Sequence, residues 1–226
     1  MDRRGLRSPC CHTEVNNGFN LDENAASSAL VASLSLLDGT FQQDELAYLA
    51  LTSKPELPIR DRLAWHMQSA LGDSLIVSRE WRRADLAVLR HDAAVLQVEA
   101  KAMYAFDLLS SVSRLKYVAK LVADGSKMAA LAPHTDAYLL ALITHVHGQV
   151  PTHLRKHVVK YSGGIMSALA SQGGDGAQVA VRSRALWESE LNNFGADWQR
   201  FTLEGGEHWG LRVQVDAYLA GPLPAI

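Results

Sequence analysis

The chain has 226 residues, of which 48% are hydrophobic and 20% are charged, with a formal net charge of -2 and a pI near 6.5. This composition is typical of a globular protein with a substantial core, and it excludes a low-complexity or strongly basic chain. The near-neutral charge neither supports nor excludes nucleic-acid binding. The longest apolar run, 137–146, is too short to span a bilayer, so we expect a cytoplasmic protein without a membrane partner.

The N-terminal segment 1–23 is polar and predicts a flexible arm, which leaves 24–226 as a single domain. The arm holds the only two cysteines, Cys10 and Cys11, followed by His12. Adjacent cysteines rarely pair with each other, and zinc sites normally separate their cysteines. The sequence therefore predicts neither a disulfide-stapled fold nor a zinc site here.

Apolar residues at helical spacing predict helices over 23–37, 42–51 and 58–71. The third of these is the first core helix. Pro58 suits its start, and Gly72 lies just past its end.

The spacing then changes to that of strands. Alternating residues predict strands over 75–81, 85–90 and 94–103, and the tight turns between them predict an antiparallel meander. The remaining predicted elements are a helix over 110–124 closed by Gly125, a buried strand over 137–144, helices over 152–169 (broken near Gly163 and Gly164) and 184–193, and a strand over 209–218. The predicted fold is a mixed α/β sheet flanked by helices, with a core of helix, three-strand meander, helix and strand.

The third predicted strand carries a charged pair in an apolar setting. Residues two apart in a strand share a face, so Glu99 and Lys101 project side by side. Asp85 on the preceding strand can meet them across the hairpin, whereas Asp92 lies in the turn and is a poorer candidate. Two carboxylates and a backbone carbonyl, here that of Ala100, are sufficient to hold magnesium, and a lysine can orient the attacking water. This arrangement suits metal-assisted hydrolysis of a phosphodiester.

The segments Arg83-Ala84-Asp85 and Val98-Glu99-Ala100-Lys101 resemble the PD-(D/E)xK, or restriction-endonuclease-like, nuclease superfamily. Members of that superfamily have the same core order, with Asp on the second strand and Glu-x-Lys on the third. The resemblance covers about 58–144 and departs from the motif's name only in having alanine before Asp85.

The resemblance implies a restriction-endonuclease-like core in which Asp85 and Glu99 bind Mg²⁺, for which Mn²⁺ can substitute. It also implies that Lys101 assists the water. Members often add an acidic ligand from the first core helix, for which Asp61 is our first choice and Glu56 the second. The charge of Asp61 also suits the first turn of that helix for purely electrostatic reasons.

A nuclease must also hold its substrate's phosphates. Arg82 and Arg83 lie next to Asp85, and Lys116 and Lys120 are one turn apart on the helix after the strands. We predict that these four cations bind nucleic acid, although each also suits an ordinary solvated surface.

We therefore expect a magnesium-dependent endonuclease of a restriction, defence or mobile-element system, acting on double-stranded DNA, with a homodimer or larger complex left open. The alternative is a catalytically silent nucleic-acid-binding or assembly subunit with the same fold. A third interpretation is a metal-free structural protein in which Glu99 and Lys101 form an ion pair.

Overall fold

The structure is a computed structural model that describes residues 14–132 and 135–223. In these ranges the helices are α1 (Glu14–Leu36), α2 (Glu45–Thr52), α3 (Glu56–Leu71), α4 (Ala105–Leu109), α5 (Ser111–Leu131), α6 (Ser162–Ser171) and α7 (Gly176–Phe194). The strands are β1 (Ile76–Arg79), β2 (Leu86–Arg90), β3 (Ala93–Tyr104), β4 (Asp136–His147), β5 (Trp198–His208) and β6 (Leu211–Ala220). Short 3-10 turns are formed by Leu37–Thr40, Trp81–Arg83 and Thr152–Leu154.

The six strands form one sheet in the order β1-β2-β3-β4-β6-β5. Strands β3 and β4 are parallel, and all other neighbours are antiparallel. Strands β1 to β3 form the predicted antiparallel meander. Along the chain, α4 and α5 connect β3 to its parallel neighbour β4, because parallel strands need a long crossover connection. The prediction of a mixed α/β sheet with flanking helices is therefore confirmed.

Each face of the sheet carries its own hydrophobic core. Helices α1, α2, α3 and α6 pack against the strands in the larger core, which contains Val98, Ala100 and Ala102 of β3. Helices α5 and α7 pack on the other face with Met103 and β4. Because side chains alternate along a strand, Glu99 and Lys101 lie on the second face, under α5.

The two outer strands differ in how their open edges are closed. On β1, the Gln68 side chain accepts a hydrogen bond from Val77 N at 2.8 Å and donates one to the Leu75 carbonyl at 3.0 Å. On β5, the register shifts between Glu204 and Gly206, which marks a bulge. Both features reduce the ability of an outer strand to pair with another chain.

Helix α5 is longer than the sequence predicted, since it runs past Gly125 to Leu131. The prediction that Gly125 ends the helix is wrong because this glycine serves close packing. A Cβ at Gly125 would lie 3.2 Å from Leu223 Cδ1, so the C-terminal segment packs directly against the helix at this point.

Other predicted boundaries also need correction. Helix α1 begins at Glu14, so residues 14–23 are helical where an arm was predicted, while Cys10, Cys11 and His12 lie outside the described residues. Gly163 and Gly164 lie within the first turn of α6 and do not interrupt a helix over 152–169. Strand β5 was not predicted.

In the described parts of the chain, every helix is either too short or too polar to traverse a lipid bilayer.

Candidate active site

The candidate site lies at the N-terminal end of β2, where β3 extends beyond its pairing with β2. Strand β2 pairs with β3 only as far as Leu86 opposite Val98, whereas the pairing of β3 with β4 continues to Tyr104. Beyond Val98, β3 therefore lacks a strand neighbour on its β2 side. Its buried backbone donors must be satisfied by side chains instead.

Two carboxylates take the place of the missing strand. Asp85 Oδ2 accepts a hydrogen bond from Ala100 N at 2.8 Å, and Glu56 Oε2 accepts one from Ala102 N at 2.7 Å. Lys54 Nζ completes this edge by donating to the Ala102 carbonyl at 2.7 Å. Since the N–H and C=O of one strand residue point to the same edge, the Ala100 carbonyl faces Asp85 as well.

Asp85 was predicted on the second strand, and it lies immediately before β2. It is held by the backbone of the residue between Glu99 and Lys101. Its other oxygen, Oδ1, is 3.9 Å from the guanidinium of Arg60 on α3. The hairpin therefore brings Asp85 to the Glu-x-Lys segment of β3, as the sequence predicted.

Glu99 and Lys101 lie side by side under α5. Lys101 Nζ donates to Glu99 Oε1 at 2.9 Å, and Glu99 is only 4% exposed. The prediction that these two side chains share a face of β3 is confirmed. A buried carboxylate of this kind requires a charged or hydrogen-bonding partner, and Lys101 is one.

Two residues of α5 complete the cluster, and sequence reasoning missed both. Lys127 Nζ lies 3.3 Å from Glu99 Oε2 and 3.4 Å from Glu99 Oε1, and it donates to the Arg83 carbonyl at 2.7 Å. Lys101 Nζ is 3.3 Å from Asp124 Oδ2, at ion-pair distance but without hydrogen-bond geometry. Their spacing of three residues on one helix face was the available signal, but the predicted helix ended between them.

The charges around Lys101 favour its protonated form. Burial works to lower the pKa of the Lys101 amine, but the hydrogen bond to Glu99 and the charges of Glu99, Asp124 and Asp85 outweigh burial and raise the pKa above its usual value. Lys101 is therefore a cation and hydrogen-bond donor at neutral pH. It is not suited to removing a proton from water.

The two acidic candidates on α3 occupy different positions. Asp61 pairs with Arg60 at 3.3 Å and with Arg79 at 3.1 Å, and its side chain is 42% exposed. Glu56 bonds directly to the open edge of β3, beside Asp85. Asp61, which we predicted first as the acidic ligand from this helix, is therefore paired with two arginines. Glu56, which we predicted second, lies closer to the open edge of β3 and is better placed for that role.

The candidate site offers only a small number of oxygen ligands for magnesium. Among residues 14–132 and 135–223, no three His, Cys, Asp or Glu side chains form a ready-made metal group. Asp85, Glu99 and the Ala100 carbonyl would supply two carboxylates and one carbonyl, and magnesium commonly keeps waters at its other positions. Asp124 Oδ2 is a buried acceptor without a hydrogen-bond partner in the structure, and it lies 3.3 Å from Lys101 Nζ.

The predicted nucleic-acid contacts are all exposed. Arg82 and Arg83 lie in the turn before Asp85, where both have positive φ values of 45° and 76°. Lys116 and Lys120 lie on the outer face of α5. Lys120 and Lys54 both lie 5.6 Å from the ring centre of Tyr117.

A second polar cluster is buried on the same face of the sheet, nearer to β6. His145 Nε2 is 2.8 Å from Asp216 Oδ2, Arg184 Nε donates to the same oxygen at 2.6 Å, and Thr202 donates to Asp216 Oδ1 at 3.0 Å. Burial works to raise the pKa of the Asp216 carboxyl, but the hydrogen bonds and charges of His145 and Arg184 outweigh burial and lower this pKa to about 2.

No family model, curated protein or solved structure matches this chain.

Proposed function

We propose that this chain is a magnesium-dependent phosphodiesterase, and specifically an endonuclease acting on double-stranded DNA in a restriction, defence or mobile-element system. The observation that carries the proposal is the hydrogen bond from Ala100 N to Asp85 Oδ2, which fixes Asp85 at the backbone between Glu99 and Lys101, with the Lys101 amine 2.9 Å from Glu99 Oε1. The order α3, β1 to β3, α5, β4 also agrees with the restriction-endonuclease-like core.

Each residue has a defined task in this proposal. A bound magnesium ion would neutralise phosphate charge and lower the pKa of a coordinated water. Asp85, Glu99 and the Ala100 carbonyl would hold the ion at the edge of β3, with Glu56 beside them. The Lys101 ammonium would donate a hydrogen bond to the attacking water or to the phosphate. As the water oxygen bonds to phosphorus, the water would give its proton to solvent, the bond to the leaving oxygen would break, and the leaving oxygen would take a proton from a second water.

Cleavage of supercoiled plasmid DNA tests the proposal. With Mg²⁺, the wild-type protein should nick or cut the plasmid, and chelator should stop the reaction. We expect Asp85→Asn, Glu99→Gln and Lys101→Met each to lower the rate by about 100-fold or more, because each removes a charge from the reacting centre. The exposed Asp92→Asn is the matched control, since it makes the same charge change in the β2–β3 turn. Equal cutting by all four variants would show that the site is misassigned.

One observation favours the catalytically silent alternative. Glu99, Asp124, Lys101 and Lys127 already balance one another's charges, so the cluster is electrostatically complete without a metal. A binding or assembly subunit would retain salt-dependent affinity for duplex DNA and show no cleavage with Mg²⁺ or Mn²⁺. Such a result would replace the nuclease proposal with this one.

A further inference from the structure

Lys127 makes an unusual set of contacts for a lysine on the surface of a helix. Its ammonium lies within 3.4 Å of both oxygens of Glu99 and donates to the Arg83 carbonyl at 2.7 Å. Glu99 is almost fully buried, whereas the Lys127 side chain remains 32% exposed. The cation thus approaches a buried carboxylate from the solvent side of the cluster.

These three oxygens form the kind of ligand group that a hard cation selects. Divalent magnesium and manganese bind carboxylate and carbonyl oxygens, and a carboxylate can contact a cation with one or both of its oxygens. The Lys127 ammonium is a compact single charge that satisfies the same groups less strongly. A divalent ion that bound Glu99 would therefore compete with the Lys127 ammonium for this carboxylate.

Simultaneous occupation of Glu99 by Lys127 and a divalent ion is unfavourable. Lys101 already contacts Glu99 Oε1, so a metal would become the third positive group at one carboxylate. Repulsion between cations at such short separations is large where water is excluded. Both lysines have a flexible four-carbon stem, but the Lys127 side chain is more exposed than that of Lys101, at 32% against 25%, so Lys127 is the group that can leave.

We propose that Lys127 is an internal counter-ion that occupies Glu99 in the metal-free protein and must move away before the metal binds. This inference rests on the proposed function, because it concerns the same metal. While metal is absent, Lys127 gives the buried Glu99 a second charged partner beside Lys101, at the cost of weaker metal binding.

Calorimetric titration with Mn²⁺, in the absence of DNA, tests this competition. We expect Lys127→Met to bind Mn²⁺ about tenfold more tightly than the wild type, which corresponds to about 1.4 kcal/mol. Without metal, Lys127→Met should unfold at a lower temperature than the wild type, and Mn²⁺ should raise its Tm by more. Lys127→Arg retains the charge and should bind Mn²⁺ no more tightly than the wild type does.

The control is Arg182→Met, which removes an exposed cation from α7 and so changes the net charge equally. If Lys127→Met and Arg182→Met bind Mn²⁺ with equal affinity, the competition does not exist, although the metal site stands. If neither the wild type nor any variant binds Mn²⁺, the proposed function fails and this inference fails with it.

A second measurement uses the wild-type protein and does not depend on the folding of a variant. Amine-reactive labelling followed by mass spectrometry should show that Lys127 becomes more reactive when Mn²⁺ is added, because its ammonium leaves Glu99 for solvent. The exposed Lys116 on the same helix provides the reference. Unchanged labelling of Lys127 at saturating Mn²⁺ would overturn the proposal.

Discussion

At the scale of single residues, the position of a charged side chain relative to the candidate site is determined by its hydrogen-bond and ion-pair partners more than by its residue type. Asp85 and Glu56 bond to backbone amides of β3, whereas Asp61 bonds to two arginines. The sequence was sufficient to predict that Glu99 and Lys101 share a face of β3 and that Asp85 lies next to them across the hairpin, because strand periodicity determines which residues share a face. It was not sufficient to choose between Glu56 and Asp61, because that choice depends on how α3 packs against the sheet.

Asp216 gives the protein a testable dependence of stability on acid. Its pKa is lowered to about 2 from 3.8, so its ionised form stabilises the fold at neutral pH. Such a contribution is complete above the unfolded-state pKa and disappears as the pH falls through the folded-state pKa. The shift corresponds to about 2 kcal/mol.

We therefore expect the free energy of unfolding to fall between about pH 5 and pH 2, partly because of this group. Asp216→Asn should be less stable than the wild type at pH 7, and the difference between the two proteins should shrink as the pH falls. Denaturant unfolding at several pH values measures this. A difference that stayed constant down to pH 2 would mean that Asp216 does not contribute in this way.

At the scale of secondary structure, the sequence predicted the central elements better than the peripheral ones. The strands of the meander and the buried β4 carry strong alternating or continuous apolar patterns. Strand β5 was missed because the successive polar residues Gln199 and Arg200 and the successive glycines Gly205 and Gly206 interrupt its alternation at both ends. The length of α5 was missed because a helix interior tolerates glycine when tertiary packing requires it.

Gln68 links α3 to the outer edge of β1, and its removal should weaken that edge. Gln68→Ala removes the hydrogen bonds to Val77 N and the Leu75 carbonyl, so we expect the free energy of unfolding to fall by about 1–2 kcal/mol. Hydrogen exchange at the Val77 amide should also become faster. Ser69→Ala is the control, since the Ser69 hydroxyl donates to the Trp65 carbonyl within the same helix. Equal protection of Val77 in both variants would contradict the role of Gln68.

At the scale of the whole molecule, the formal net charge of -2 offers no general attraction for DNA. Any attraction must come from local groups, such as the exposed Lys116 and Lys120 on α5. The proposed function therefore predicts that DNA binding depends on a small number of phosphate contacts, each of which adds to the salt dependence.

Removing two such contacts should change the salt dependence measurably. For Lys116→Gln/Lys120→Gln, we expect the slope of log K against log salt concentration to become shallower by about 2. Binding to a short duplex would be measured by fluorescence anisotropy, with Ca²⁺ replacing Mg²⁺ to prevent cleavage. Arg182→Gln on α7 serves as the comparison. An unchanged slope in the double variant would remove these lysines from the DNA surface.

The bulge in β5 has a consequence for assembly. Strand addition between two copies needs a regular edge with free donors and acceptors, but β5 is irregular near Glu204 and β1 is capped by Gln68. Two copies are therefore poorly suited to joining their sheets into one continuous sheet. If cleavage of both DNA strands requires a pair of molecules, we expect the pair to meet through helices or loops, so that each monomer keeps a separate sheet.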